Sequence, residues 1–246
     1  MVVFIFVLGS FLTSFFTLVG MRVPKKLSIN GRSQCDECKE VIPWYGLIPV
    51  FGYFLVMGKC VHCKTKIDLK YPIYELIGGL LFVLGFVVLE GNLPEFMIYS
   101  IMVSLMIIVS VSDIEYQIVP DIILITFLPI ILILRLVYPV ETILNVLLGG
   151  VLGFLFMYLI AWYGKKRFKK DALGGGDIKL YFIIGLFLGV QIVFLSLFFA
   201  SLLGIILGRL VIKKMNPIPF VPFIFFGVLM AYFLGDALIT WYLSFL

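Results

Sequence analysis

The chain has 246 residues, 63% hydrophobic and only 13% charged, with a net charge of +5. A soluble domain of this length cannot hide so much apolar surface, so the composition excludes an ordinary globular enzyme and indicates a polytopic membrane protein. The basic residues alternate with apolar runs in a way that membrane topology explains, so nucleic acid is not expected as a partner.

In chain order, eight helical spans are expected, at roughly 2–20, 71–89, 96–112, 119–137, 141–163, 178–190, 192–210 and 219–241. The first run has no basic segment before it and no small-residue cleavage site after it, and reads as a retained helix. Residues 178–210 are too long for one simple span, since a single helix would extend about 50 Å. The stretch "GVQ" at 189–191 is the natural place to divide it. No internal repeat is apparent in the sequence. The fold class expected is therefore all-α, about eight transmembrane helices with one small soluble island. The island is residues 21–70, between a first helix at 1–20 and a membrane domain of about seven helices at 71–246.

Sidedness follows from the basic residues. Nine of the 19 fall between Arg22 and Lys70, six between Lys165 and Lys179, and three at Arg209, Lys213 and Lys214. The positive-inside rule places these three regions in the cytoplasm and both termini outside. Arg135 is the one basic residue left over.

The island carries all four cysteines, as "CDEC" and "CVHC". It is too small for a conventional core and needs a staple. Cys35, Cys38, Cys60 and Cys63 form two Cys-x-x-Cys knuckles, the pattern of a zinc ribbon. In the cytoplasm disulfides rarely persist, so one structural zinc is expected, with redox dithiols or unpaired cysteines as the bland alternatives. Four thiolates close the shell and leave no open position for catalysis. His62, the only histidine, reads as a loop residue.

Acids beside apolar spans default to function. "SDIEYQIVPD" carries Asp113 and Asp121; "LGGGDIKL" carries Asp177 behind three glycines. Asp121 after Pro120 has the reading of a helix cap, and Glu115 that of a solvated turn residue. Asp177 could be a cap too, but a cap needs no run of glycines. Gly174, Gly175 and Gly176 permit unusual backbone angles and let another chain lie close. The stretch is not a P-loop, because the spacing and the Lys-Ser/Thr pair are absent. Two carboxyls in one semi-dry site share a proton; one activates water and the other polarises a carbonyl. This aspartic-protease chemistry needs no histidine, serine or catalytic metal. A cation- or proton-coupled transporter using the same aspartates is the second reading. A scaffold whose zinc ribbon recruits a partner is the third.

These motifs, in this order, resemble those of the type IV prepilin leader peptidases, membrane aspartic proteases of the Gly-x-Gly-Asp class. "GSFLTSFFTLVGMRVP" resembles the family's opening helix, "CDEC…CVHC" its cysteine domain and "LKYPIYELIGG" its second helix. "SDIEYQIVPD" and "LGGGDIKL" resemble its two aspartate motifs, and "PIPFVPF" its proline-rich segment. The resemblance implies a catalytic pair of Asp113 and Asp177, with the family's glycines at Gly174 and Gly176; Gly174, Gly175, Gly176 and Lys179 are the residues expected at the substrate's approach. It implies a prepilin or pseudopilin substrate, cut at the cytoplasmic face of a bacterial inner membrane. Many family members also N-methylate the new amino terminus with S-adenosylmethionine. Glu75 and Gly79 fall at the positions the resemblance links to methyl transfer, Gly79 leaving room for donor or substrate. The bland reading of Glu75 is a salt bridge to a loop lysine. Lysine-rich loops would also hold the protein at anionic lipid.

Overall fold

A computed structural model describes residues 1–35, 37–139, 141–169, 173–211 and 218–245, the side chains of 208–211 excepted. Lys170, Lys213 and Lys214, counted in the basic clusters, lie outside the described residues, as does the side chain of Arg209. Among these residues eight helices follow in order: α1 (Val2–Arg22), α2 (Phe51–Leu55), α3 (Lys70–Val88), α4 (Leu93–Tyr116), α5 (Asp121–Val137), α6 (Ile143–Phe168), α7 (Gly175–Val211) and α8 (Val221–Leu243). A 3-10 turn at Trp44–Leu47 precedes α2. Among the described residues there is no strand, only two isolated antiparallel bridges. Among the described residues six helices (α1, α3, α4, α6, α7 and α8) are long and apolar enough to cross a membrane. The protein is an all-helical, multi-pass membrane protein. Its contacts divide it into two units, residues 1–111 and 112–246.

In the first unit α1 and α3 pack face to face. Five of the seven buried residues of α1 are small: Gly9, Ser10, Thr13, Thr17 and Gly20, beside Ile5 and Val19. In lipid, helices gain nothing from hiding apolar surface from each other, so close backbone approach drives association. The complementary residues on α3 are Gly78 and Gly79. A Cβ at Gly78 would strike the Thr13 side chain, and one at Gly79 would lie 2.8 Å from the Phe6 ring and closer still to Ser10 Oγ. Thr13 Oγ1 is itself satisfied by donating to Gly9 O at 2.7 Å.

The second unit repeats this logic with α6 and α7. Gly149, Gly150 and Gly153 share one buried face of α6, and α7 lies against it backbone to backbone at Gly185. α7 is not one straight rod. Gly189 has φ 73° and ψ −178°, a conformation that L side chains rarely adopt. A Cβ on Gly153 would meet both Tyr181 O, at 2.9 Å, and Val193 Cγ2, at 3.2 Å. In a straight helix those two residues would stand about 18 Å apart. α7 therefore doubles back at Gly189, inside the "GVQ" where the sequence suggested a division. With this turn and the 17-residue α5, the segments match the eight expected.

A turn inside apolar surroundings exposes backbone groups that must find partners. Val190 N–H donates to Asn145 Oδ1 at 3.2 Å. The guanidinium of Arg135, 6% exposed, donates to the carbonyls of Leu186, at 3.4 Å, and Phe187. The basic residue that topology left unassigned is thus used to cap the α7 turn.

Candidate functional site

Asp113 lies near the end of α4, and Asp177 in the first turn of α7, both in the second unit. They are 7% and 8% exposed. Gly176, the residue before Asp177, packs against Val119 in the turn that follows Asp113, so the two acids stand at adjoining helix ends. Asp113 Oδ2 accepts from Val221 N–H at 2.9 Å, a free amide of the first turn of α8. Asp177 N–H donates to Gly174 O at 3.1 Å. The fold thus brings together the first aspartate of one motif, the aspartate of the other and the end of the proline-rich segment.

The three glycines act differently from expectation. None has a positive φ, so unusual backbone angles are not their use here. Gly176 is the close-approach residue, since a Cβ would sit 2.7 Å from Val119 Cβ. Among the described residues, and apart from its own helical turn, no heavy atom lies within 4 Å of where a Cβ on Gly175 would stand. A Cβ on Gly174 would lie 3.3 Å from Asp177 Oδ2. Among the described residues, the open position at Gly175, one residue from Gly174 and two from Asp177, leaves room beside the acid.

Asp121 is not a helix cap. Pro120 occupies the cap position of α5, without a side-chain cap bond. Both oxygens of Asp121 instead accept from Lys179 Nζ, at 2.9 and 2.8 Å. Lys179, expected at the substrate's approach, has its ammonium on that carboxylate. Beside the pair lies a cavity of about 480 Å³, lined with Leu124, Leu128, Phe154 and Phe182.

In the first unit the sulfurs of Cys35, Cys38, Cys60 and Cys63 all lie within 4.8 Å of one another, so they could hold a metal ion. Cys35 and Cys63 are 3.7 Å apart and Cys38 and Cys60 3.8 Å. Disulfides would need about 2.05 Å. Sulfurs at the corners of a tetrahedron around zinc, each about 2.3 Å from it, stand about 3.8 Å apart. The donor set fits. His62 is exposed and outside the cluster.

The two knuckles are copies of one another, 25 residues apart. Cys35 N–H donates to Glu40 O and Lys39 N–H to Cys35 O; Cys60 N–H donates to Thr65 O and Lys64 N–H to Cys60 O. Lys39 and Lys64 share a left-handed φ of 59°. Bridges Gln34–Val41 and Lys59–Lys66 close the two hairpins alike. This short structural repeat was hidden in the sequence by the different residues that fill it. The thiols respond unequally. Hydrogen bonds from Thr65 bring Cys63 down to about 6. The Glu40 backbone favours a Cys38 thiolate, but desolvation and the three neighbouring sulfurs outweigh it and push Cys38 up to about 12. A dication would collect all four as thiolates and displace their protons.

Glu75, on α3, makes no salt bridge to a loop lysine among the described contacts. Its Oε2 accepts from Val50 N–H at 2.7 Å, and Ser14 of α1 bonds the same carboxyl. Val50 has φ 63° and begins α2, so Glu75 ties the soluble island to the α1–α3 pair. The room expected beside Gly79 is filled by Ser10 and Phe6.

With this geometry in view, comparison with known proteins is informative. Residues 7–89 match the bacterial Peptidase A24 N-terminal domain, and residues 100–209 the type IV leader peptidase family. The prepilin leader peptidase/N-methyltransferase of Bacillus subtilis (strain 168) is 36% identical over 98% of this chain and 97% of its own length. The chain belongs to the type IV leader peptidase family. Proteins of the same name from Myxococcus xanthus (33% identical, 85% of this chain and 63% of the relative) and Pseudomonas aeruginosa (31%, 90% and 79%) are also similar to this leader peptidase family member. No solved structure matches the chain significantly.

Proposed function

We propose that this membrane enzyme cleaves the leader peptide from type IV prepilins or pseudopilins, with Asp113 and Asp177 as its catalytic dyad. The observation that carries the reading is a pair of buried aspartates at adjoining helix ends, one of them beside the open space at Gly175. One carboxylate takes a proton from water, and the water attacks the scissile carbonyl. The other carboxyl, protonated, gives its proton to the carbonyl oxygen; as the C–N bond breaks, the first carboxyl passes the proton it took from water to the leaving amine, and the second recovers one from the gem-diol. The Val221 amide holds Asp113 Oδ2 in place, and the Asp177 backbone is tied to Gly174. A transporter would use the same acids, but no observation favours that reading. The arrangement of basic loops supports an active site on the cytoplasmic side of a bacterial inner membrane.

The cysteine cluster would hold one zinc ion through Cys35, Cys38, Cys60 and Cys63. Its chemistry there is structural, a four-thiolate staple for an island without a core. A second activity, N-methylation of the new amino terminus from S-adenosylmethionine, is supported by the relatives' names. The residues expected to serve it do not fit a donor: Gly79 is packed against α1 and Glu75 is bonded to Val50 and Ser14. No methyl-transfer step is therefore assigned to them.

The test is purified full-length protein in lipid nanodiscs, mixed with a prepilin and followed by mass spectrometry. The expected result is loss of the leader mass, with a further methyl mass only when S-adenosylmethionine is added. An intact prepilin after prolonged incubation would contradict the reading.

A further inference from the structure

Both aspartate motifs end in a charge that the dyad does not use: Asp121 closes "SDIEYQIVPD" and Lys179 closes "LGGGDIK". The structure joins them across 58 positions of sequence, Lys179 Nζ donating to both Asp121 oxygens. Next to this pair, Val119 seats against Gly176. The stretch between Asp113 and Asp121 is tied to itself. Gln117 N–H donates to Asp113 O at 2.9 Å, and the Ser112 hydroxyl donates to Ile118 O. A short, internally bonded turn thus carries Asp113 at one end. Its other end is fastened to the helical turn that carries Asp177.

We propose that Asp121 and Lys179 are a positioning pair that fixes Asp113 relative to Asp177. This rests on the reading of those two acids as the dyad. The side chains of Lys179 and Asp121 are 53% and 58% exposed, and an exposed ion pair adds little to global stability. Register is another matter. A charged contact to both carboxylate oxygens sets direction as well as distance, and catalytic groups misplaced by about 1 Å can lose about a hundredfold in rate. The pair acts where the α4–α5 turn meets the start of α7, beside the Val119–Gly176 contact, so its loss lets the two acids drift apart. Gly176 serves the same junction, because any larger residue would push Val119 away.

The test uses the full-length protein in nanodiscs with a prepilin substrate. Asp121→Asn and Lys179→Met should each lower kcat by about tenfold or more, with KM within about twofold of wild type. The double variant should be no worse than the poorer single one, because each removes the same contact. Lys179→Arg, which can still engage both oxygens, should recover most of the rate. The bell of kcat against pH should narrow in the single variants, since acids set further apart titrate more independently. Wild-type kcat in both single variants, losses that multiply in the double, Lys179→Arg no better than Lys179→Met, or a raised KM at unchanged kcat would each overturn the proposal. The last outcome would make Lys179 a substrate contact. Asp113→Asn runs beside them. If it cleaves at the wild-type rate, the dyad reading fails and this proposal with it. If it is inactive while the pair variants are unchanged, this proposal alone fails.

Discussion

Gly79→Leu separates two accounts of the methionine-donor region, and the structure changes which outcome is expected. Read from sequence, the glycine leaves room for a ligand, and filling that room should block methyl transfer alone. In the fold, the first carbon of any side chain there lies 2.8 Å from the Phe6 ring and nearer still to Ser10 Oγ. Neither neighbour is a flexible tip: Ser10 sits on the buried face of α1, and Phe6 is one turn before it. Leucine adds three more carbons beyond that point. Overpacking of this kind costs about 1–3 kcal/mol where neighbours can yield, and more where backbones must part. A value at or above the upper end is expected, because Gly78 sits equally tightly on Thr13 and holds the helices at the same distance. Parting α1 from α3 also strains the Glu75 contacts to Ser14 and Val50. Thermal unfolding in detergent, with leader cleavage and methylation measured on the same preparation, checks this. Melting should fall by several degrees, and methylation should fall with it rather than alone. Wild-type melting with methylation selectively lost would refute the packing argument and restore the open-room account.

Three further outcomes are expected. Metal analysis should find about one zinc per chain, and a Cys→Ser change at any of Cys35, Cys38, Cys60 or Cys63 should lower it. Zinc affinity should fall as pH falls, because protons compete for thiolates and the Cys38 thiol is pushed up to about 12; a pH-independent affinity would count against a four-thiolate site. Arg135→Met should destabilise the protein by about 1–3 kcal/mol for each orphaned carbonyl at Leu186 and Phe187, read by denaturant unfolding, and an unchanged midpoint would remove its capping role. Gly189→Ala should cost about 1–3 kcal/mol for a positive-φ, extended-ψ backbone that glycine alone adopts readily, plus the collision with Asn145, whose Nδ2 would lie 2.7 Å from the new carbon.

Much of the architecture was legible because lipid imposes simple rules. Spans show as apolar runs, and the "GVQ" break was found from length alone, since 33 residues are too many for one crossing. The cysteine cluster was legible from spacing, and Asp113 and Asp177 were singled out because acids beside apolar runs are expensive. What stayed hidden depends on which backbones touch. Nothing local marks Gly79 as a packing residue rather than a binding one; the stripe of Ser10, Thr13 and Thr17 facing it was the available signal. Asp121 looked like a cap because Asp after Pro usually is one, and its partner Lys179 stands too far along the chain to be paired by eye. Arg135 was visible only as an exception to the charge pattern, which is itself the signal that a buried arginine has backbone to satisfy. The repeat of the two knuckles lies in hydrogen bonds, and residues as unlike as Glu40 and Thr65 make the same ones.

The central claim is that Asp113 and Asp177 together carry out peptide hydrolysis. The most direct measurement is single-turnover cleavage of a prepilin by purified Asp113→Asn and Asp177→Asn, each shown by thermal unfolding to be folded. Asparagine keeps the shape of the side chain but can neither take a proton from water nor share one with its partner. Loss of activity by about 10³-fold or more is expected in each, with the double variant no worse than either, because the two act as one unit. Cleavage at the wild-type rate by either folded variant would contradict the account.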